Sequence, residues 1–216
     1  VADSRASIHP LAKALAAEFK AADVRLLERY LGDVVVWNER VALLSRRSLL
    51  PSLERLVRQS GTFLQFLIDR GAILPGQGQS VIDIGSGAGF PGLAWKLMEP
   101  SLKVTLLERR QKKATFLQRM TVVLGLTNVR VVEGDAAELS TFEKLIGRYD
   151  LATSFAVAPP TAMARLAEPF IRPGGYYATL RPRAEHDPPK RIGHSLVLAD
   201  VADNDLGRFC LYQSTA

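Results

Sequence analysis

Cysteine occurs once in the 216 residues, at Cys210, which excludes an internal disulfide and any zinc site built on cysteines. It lies in an apolar run near the end of the chain, where a buried thiol without a redox role is expected. The three histidines, His9, His186 and His194, show no metal-ligand spacing, so no metal is expected. A Gly-x-Ser-x-Gly frame is missing too: Ser86 stands between Gly85 and Gly87 with no histidine nearby, which argues against a hydrolase nucleophile. No apolar run approaches the roughly 18 to 20 residues of a membrane span. The opening VADSRASIHP lacks the basic and then apolar pattern of a signal peptide, so a cytoplasmic protein without membrane contact is expected. There is no internal repeat.

What is present is enough apolar material for one sizeable core, 47% of residues, and a net charge of +6 that suggests an anionic partner, nucleic acid first. A solvated basic surface is the plainer alternative.

Leu11, Ala14, Leu15 and Phe19 recur at helical spacing, and Asp23 is placed to cap a second helix carrying Val24, Leu27 and Leu31. Ser48 to Gln59 and Thr62 to Arg70 read as two further helices. GAILPGQGQ, from Gly71 to Gln79, cannot continue a helix and marks a boundary between a helical region, residues 1–79, and a ligand-binding domain, residues 80–216. Beyond it, strands at Val81–Ile84, up to Glu108, at Asn128–Val132, Tyr149–Ser154 and Tyr176–Leu180 alternate with helices at Leu93–Met98 and Gln111–Leu124. The RPGG sequence Arg172–Gly175 reads as a turn. Such alternation predicts an α/β fold with a doubly wound, mostly parallel sheet and an N-terminal helical extension. Ser195–Val201 and Arg208–Tyr212 are expected to close it as an antiparallel pair.

The stretch VIDIGSGAGFPG, Val81 to Gly92, reads as a buried strand turning into a glycine loop, at the sheet edge where open α/β folds bind ligands. Gly85, Gly87 and Gly89 let a ligand lie against the backbone. Asp83, at the strand end, is badly placed for a pyrophosphate and suits a ligand with amino and hydroxyl donors and positive charge. S-adenosylmethionine has these features. Glu108, ending the second strand, stands where a carboxylate takes ribose hydroxyls, or else balances Arg109 and Arg110. Asp135, with Ala136 beside it, can accept from an adenine amino group or cap a helix beginning at AAEL. Arg109, Arg110, Lys112 and Lys113, with Arg181 and Arg183 on a later loop, can hold RNA phosphates or form a solvated face. Phe90 and Phe155 can stack on a base or join the core.

VIDIGSGAGFPGLAWKL, LLERRQKKATFLQ, LGLTNVRVVEGDAAEL and YDLATSFA, preceded by Trp37 and Asn38, together resemble the bacterial glucose-inhibited division protein B family from about Tyr30 to Tyr212. The resemblance implies a Rossmann-like, S-adenosyl-L-methionine-dependent methyltransferase acting on N7 of a guanine in small-subunit ribosomal RNA. It implies that Gly85, Gly87 and Gly89 hold the methionine part and that Glu108 is the ribose acid. The expected partner is ribosomal RNA or the small ribosomal subunit, met by a monomer. No general base is expected, because N7 carries a free lone pair. The chain departs from the family pattern at Asp135 and Phe155, where arginines are usual, at Ala137, where glutamate is usual, and at Arg181–Pro182, where lysine and glycine are usual. Two other readings stay open: an RNA-binding protein of this fold with altered or lost activity, and a nicotinamide-dependent oxidoreductase.

Overall fold

Asp23 caps the second helix as expected, its carboxylate accepting the Arg25 backbone N–H at 2.9 Å. In the computed structural model, which describes residues 2–18, 23–45, 48–155, 159–182 and 187–216, helices α1 (Ala2–Glu18), α2 (Val24–Asn38) and α3 (Leu49–Asp69) precede the first strand. The buried face of α2 carries Leu27, Tyr30, Leu31, Val34, Val35 and Asn38, spaced three and four apart as one helical stripe.

The two helices expected between Ser48 and Arg70 are one, running 21 residues through Gly61. Glycine disfavours a helix interior by about 1 kcal/mol, but here the apolar stripe from Leu53 through Val57 to Phe63 and Leu67 is continuous and buried. The Trp95 indole adds a hydrogen bond to the Ser60 carbonyl at 2.7 Å. Tertiary burial outweighs the local propensity.

Eight strands among the described residues form one sheet in the order β3-β2-β1-β4-β5-β8-β7-β6. They are β1 (Ser80–Ile84), β2 (Lys103–Glu108), β3 (Val129–Glu133), β4 (Tyr149–Phe155), β5 (Ile171–Arg181), β6 (Arg191–Ile192), β7 (Leu196–Asn204) and β8 (Gly207–Ser214). β1 to β5 pair in parallel, and β8 runs antiparallel to both β5 and β7. The expected doubly wound sheet and its late antiparallel pair are both found, with the short β6 added at the edge. Helices α4 (Gly92–Met98), α5 (Gln111–Val123) and α6 (Pro160–Ala167) connect the parallel strands.

Arg172–Gly175 is a bulge inside β5 rather than a turn before it. The register passes from Tyr149 opposite Ile171 to Leu151 opposite Tyr176, so four residues face Asp150 alone. The Asp150 carboxylate accepts the Arg172 guanidinium at 2.7 Å, which closes the bulge.

Neighbouring residues of each strand point to opposite faces. Val81, Leu106, Leu151 and Leu211 join α2, α3, α4 and α5 in one apolar cluster, while Ile82, Leu107, Ala152 and Cys210 join α6 in the other. The helices before Gly71 thus share a core with the sheet. No described helix is long and apolar enough to cross a membrane.

Candidate cofactor and nucleic-acid cleft

After Ile84 the chain turns through Gly85, Gly87 and Gly89, whose φ angles are +76°, +58° and +100°. A Cβ on Gly89 would lie 2.7 Å from the Tyr30 hydroxyl and 2.9 Å from the Leu93 Cβ, so only glycine lets α2 and α4 approach the loop this closely. Tyr30 is fully buried, donates from its hydroxyl to the Ala88 carbonyl at 2.7 Å, and packs its ring 5.4 Å from that of Phe90. Burial, helped by the nearby Asp83, holds the Tyr30 pKa well above its ordinary value, so the hydroxyl stays a donor.

Asp83 requires a correction. The sequence sets its carboxylate beside the ligand, whereas the structure buries it completely beneath the loop, and it does not line the cleft. Its Oδ2 accepts the Gly92 N–H at 3.0 Å, and its Oδ1 is buried without a hydrogen-bond partner among the described residues. A Cβ on Gly92 would fall 2.8 Å from that Oδ2, so glycine is what allows the contact. Desolvation pushes the carboxyl up to about 7 against the lowering effect of the Gly92 N–H. Asp83 therefore braces the loop, and its charge is not what a ligand meets.

Glu108, unlike Asp83, does face the cleft. Its Oε2 accepts the Gly87 N–H at 2.9 Å and its Oε1 the Arg110 N–H at 2.8 Å, which ties the end of β2 to the glycine loop. Each oxygen retains a further lone pair for a ligand hydroxyl. Lys113, in the first turn of α5, is half-buried over the same loop; its Nζ would lie 3.9 Å from a Cβ on Gly87. Desolvation lowers its pKa, and the field of Glu108 partly offsets this.

Beyond β3, the Asp135 carboxylate accepts the Ala137 N–H at 3.0 Å and meets the Arg109 guanidinium at 3.5 Å. It closes a turn at Ala136–Ala137 rather than capping the helix expected there, since the next helical segment starts at Leu139, and it lines the cleft as well.

These groups surround a cleft of about 1390 Å³ along the carboxyl edge of the sheet. Of the residues singled out in the sequence, Gly85, Gly87, Phe90, Glu108, Arg109, Arg110, Lys113, Asp135, Ala136, Phe155 and Arg181 line it. Gly89 and Lys112 do not, and Arg183 lies outside the described residues. Arg181 is buried in the wall rather than displayed on a loop. Phe90 and Phe155 are also buried; Phe155 stacks on Phe63 at 5.6 Å, so both rings belong mainly to the core. No group of three or more His, Cys, Asp or Glu that could hold a metal occurs among the described residues.

Sequence reasoning missed Tyr30, Arg55, Gln59 and the turn at Asp205–Gly207. Tyr30 sits within an apolar helical stripe with nothing to distinguish it from core. The others reach the cleft only because α3 and the β7–β8 turn fold over the ends of β4 and β5.

The family model described as GidB, rRNA small subunit methyltransferase G, matches residues 23–200. Ribosomal RNA small subunit methyltransferase G of Caldanaerobacter subterraneus subsp. tengcongensis is 42% identical over 106 residues, 49% of this chain and 44% of that protein. The Sorangium cellulosum protein of the same name is 37% identical over 175 residues, 81% of this chain and 71% of its own length. The Leuconostoc mesenteroides one is 31% identical over 169 residues, 76% of this chain and 66% of its own. The chain thus spans between about half and somewhat over two thirds of these relatives. Among solved structures, a putative methyltransferase, yhhF, from Escherichia coli superimposes with a TM-score of 0.57 at 16% identity, covering 74% of this chain and 87% of that one. A SAM dependent methyltransferase from Aquifex aeolicus gives 0.51 at 15% identity, covering 73% and 98%. At such identities these two speak for the fold alone.

Proposed function

Because this chain belongs to the GidB family, rRNA small subunit methyltransferase G, we propose that it transfers a methyl group from S-adenosyl-L-methionine to N7 of a guanine in small-subunit ribosomal RNA. The observation that carries the reading is the cross-link between Glu108 and Gly87 at the sheet edge, which sets a carboxylate with spare lone pairs beside a loop with glycine at every second position. That arrangement fits a nucleoside without phosphate. Glu108 would take the ribose hydroxyls, Asp135 the adenine amino group, and the backbone of Gly85 to Ala88 the methionine portion. The bound cofactor supplies an electrophilic methyl group on a sulfonium.

Everything else asked of the protein is positioning. Guanine N7 has its lone pair free at neutral pH, so no residue has to remove a proton, and holding the two reactants together supplies the entropic advantage. Arg110 and Lys113 on the α5 side and Arg55 on the α3 side flank the cleft and would hold RNA phosphates without reading sequence. We further propose that the protein acts in the cytoplasm as a monomer, on ribosomal RNA or the small subunit.

The test is incubation with labelled cofactor and small subunits from cells lacking the modification, followed by borohydride and aniline treatment, which cleaves RNA at 7-methylguanine. Label without cleavage would keep the methyltransferase and discard N7; no label in naked RNA or subunits would discard the activity.

A further inference from the structure

The cleft has a second lobe beyond the cofactor residues, lined by α3, the ends of β4 and β5, α6 and the turn between β7 and β8. At about 1390 Å³ the whole cleft exceeds the roughly 300–1,000 Å³ of a pocket for one small ligand, which leaves room for a second molecule. The turn stands at the rim of this lobe, because β8 runs antiparallel to β5 with Arg208 opposite Arg181.

The turn is fixed from three sides. Asn204 Oδ1 accepts the backbone N–H groups of Leu206 at 2.9 Å and Gly207 at 3.2 Å. Gln59 on α3 donates from its side-chain amide to the Leu206 carbonyl at 2.7 Å. Gly207 packs so closely on β5 that a Cβ there would lie 2.5 Å from Leu180 Cδ1. At the tip of this rigid turn Asp205 lines the lobe, the single carboxylate to do so among the described residues. No hydrogen bond or ion pair engages its side chain among the described residues.

We propose that Asp205 recognises the acceptor base as guanine by accepting hydrogen bonds from its N1–H and its exocyclic amino group. This deepens the guanine reading above and rests on it. An ionised carboxylate is acceptor-only, so it matches the paired donors of guanine and opposes adenine, which presents an acceptor at N1. N7 lies on the other side of the purine from that donor edge, so N7 turned toward the glycine loop leaves the donor edge turned toward β8. β1 and β8 are separated by three strand steps, about 14 Å at ~4.8 Å per step, a span that fits a methyl donor and a purine side by side. Arg55 and Arg181 line the same lobe and offset the acid's repulsion of a nucleotide phosphate.

The experiment is titration of the full chain with guanosine, inosine and adenosine 5′-monophosphates, followed by NMR, for the native protein and for Asp205→Asn and Asp205→Glu. Asparagine suits the turn equally well, so an unchanged melting temperature is expected alongside the binding changes. The native protein should prefer the guanosine nucleotide over the other two, Asp205→Asn should lose about 10-fold of that preference, and Asp205→Glu should keep part of it. A native protein indifferent to the base, or an Asp205→Asn protein that retains the preference, overturns the assignment. Base preference is read without methyl transfer, so a protein that prefers guanosine yet methylates no RNA would sink the proposed activity and leave this site standing.

Discussion

The Tyr30 hydroxyl and the Ala88 carbonyl, 58 residues apart in sequence, are joined by a buried 2.7 Å hydrogen bond that pins the glycine loop to α2. Through it the N-terminal helices help set the shape of the glycine loop at the sheet edge. Tyr30→Phe removes one oxygen and leaves the Ala88 carbonyl buried without its partner, which costs about 1–3 kcal/mol. Denaturant unfolding should show that loss, and calorimetry should show weaker S-adenosylmethionine binding. A variant as stable and as tight as the native protein would remove Tyr30 from any part in shaping the loop.

Glu108→Ala removes both the proposed ribose acceptor and the link to the Gly87 N–H. Cofactor affinity should fall by roughly 1.5–3 kcal/mol, the range for hydrogen bonds to a charged group. Calorimetric binding of undiminished strength would take Glu108 out of the site.

Asp83 predicts a pH dependence of stability. Its folded-state value, pushed up to about 7 by burial, lies above the ordinary 3.8, so the folded protein holds this proton more tightly than the unfolded chain. The stability it contributes is complete below about pH 4, declines as pH rises toward about 7, and is level above that. Asp83→Asn should remove this decline, on the order of a few kcal/mol, from denaturation midpoints measured across that range. A native protein with a flat profile there would mean that the carboxyl is better solvated than its surroundings imply.

If the acceptor is guanine N7, which has no proton to remove, methyl transfer at saturating cofactor and RNA should be level between about pH 6 and 9. The measurement is best made in Asp83→Asn, which eliminates the Asp83 titration beneath the loop. A rate following a single ionisation in that variant would reveal a catalytic base.

If Arg110 and Lys113 hold phosphates, RNA affinity should fall steeply with salt, and neutralising either should reduce the slope of log affinity against log salt by about 1. Unchanged slopes would assign these cations to a solvated face.

The sequence by itself determined the α/β class, the glycine loop and the acid at Glu108, since each rests on local chemistry: buried β-strands are continuous apolar runs, positive φ calls for glycine, and strand ends lie at a shared edge. It also carried the family resemblance through contiguous motifs. Tertiary structure decided the rest. Asp83 reads as a ligand acid in the sequence, and only the packing of Gly92 and Leu106 around it puts it under the loop. Ser48 to Gln59 and Thr62 to Arg70 read as separate helices, and only the shared burial of α3 with Trp95 carries one helix through Gly61. Tyr30, Gln59 and Asp205 carry no local signature at all, because their partners are 58 and 147 residues away, or are supplied by a cleft that exists once helix, sheet and hairpin have met. Contacts that distant follow from which faces must be buried together, and a linear pattern of residue types does not encode which faces those are.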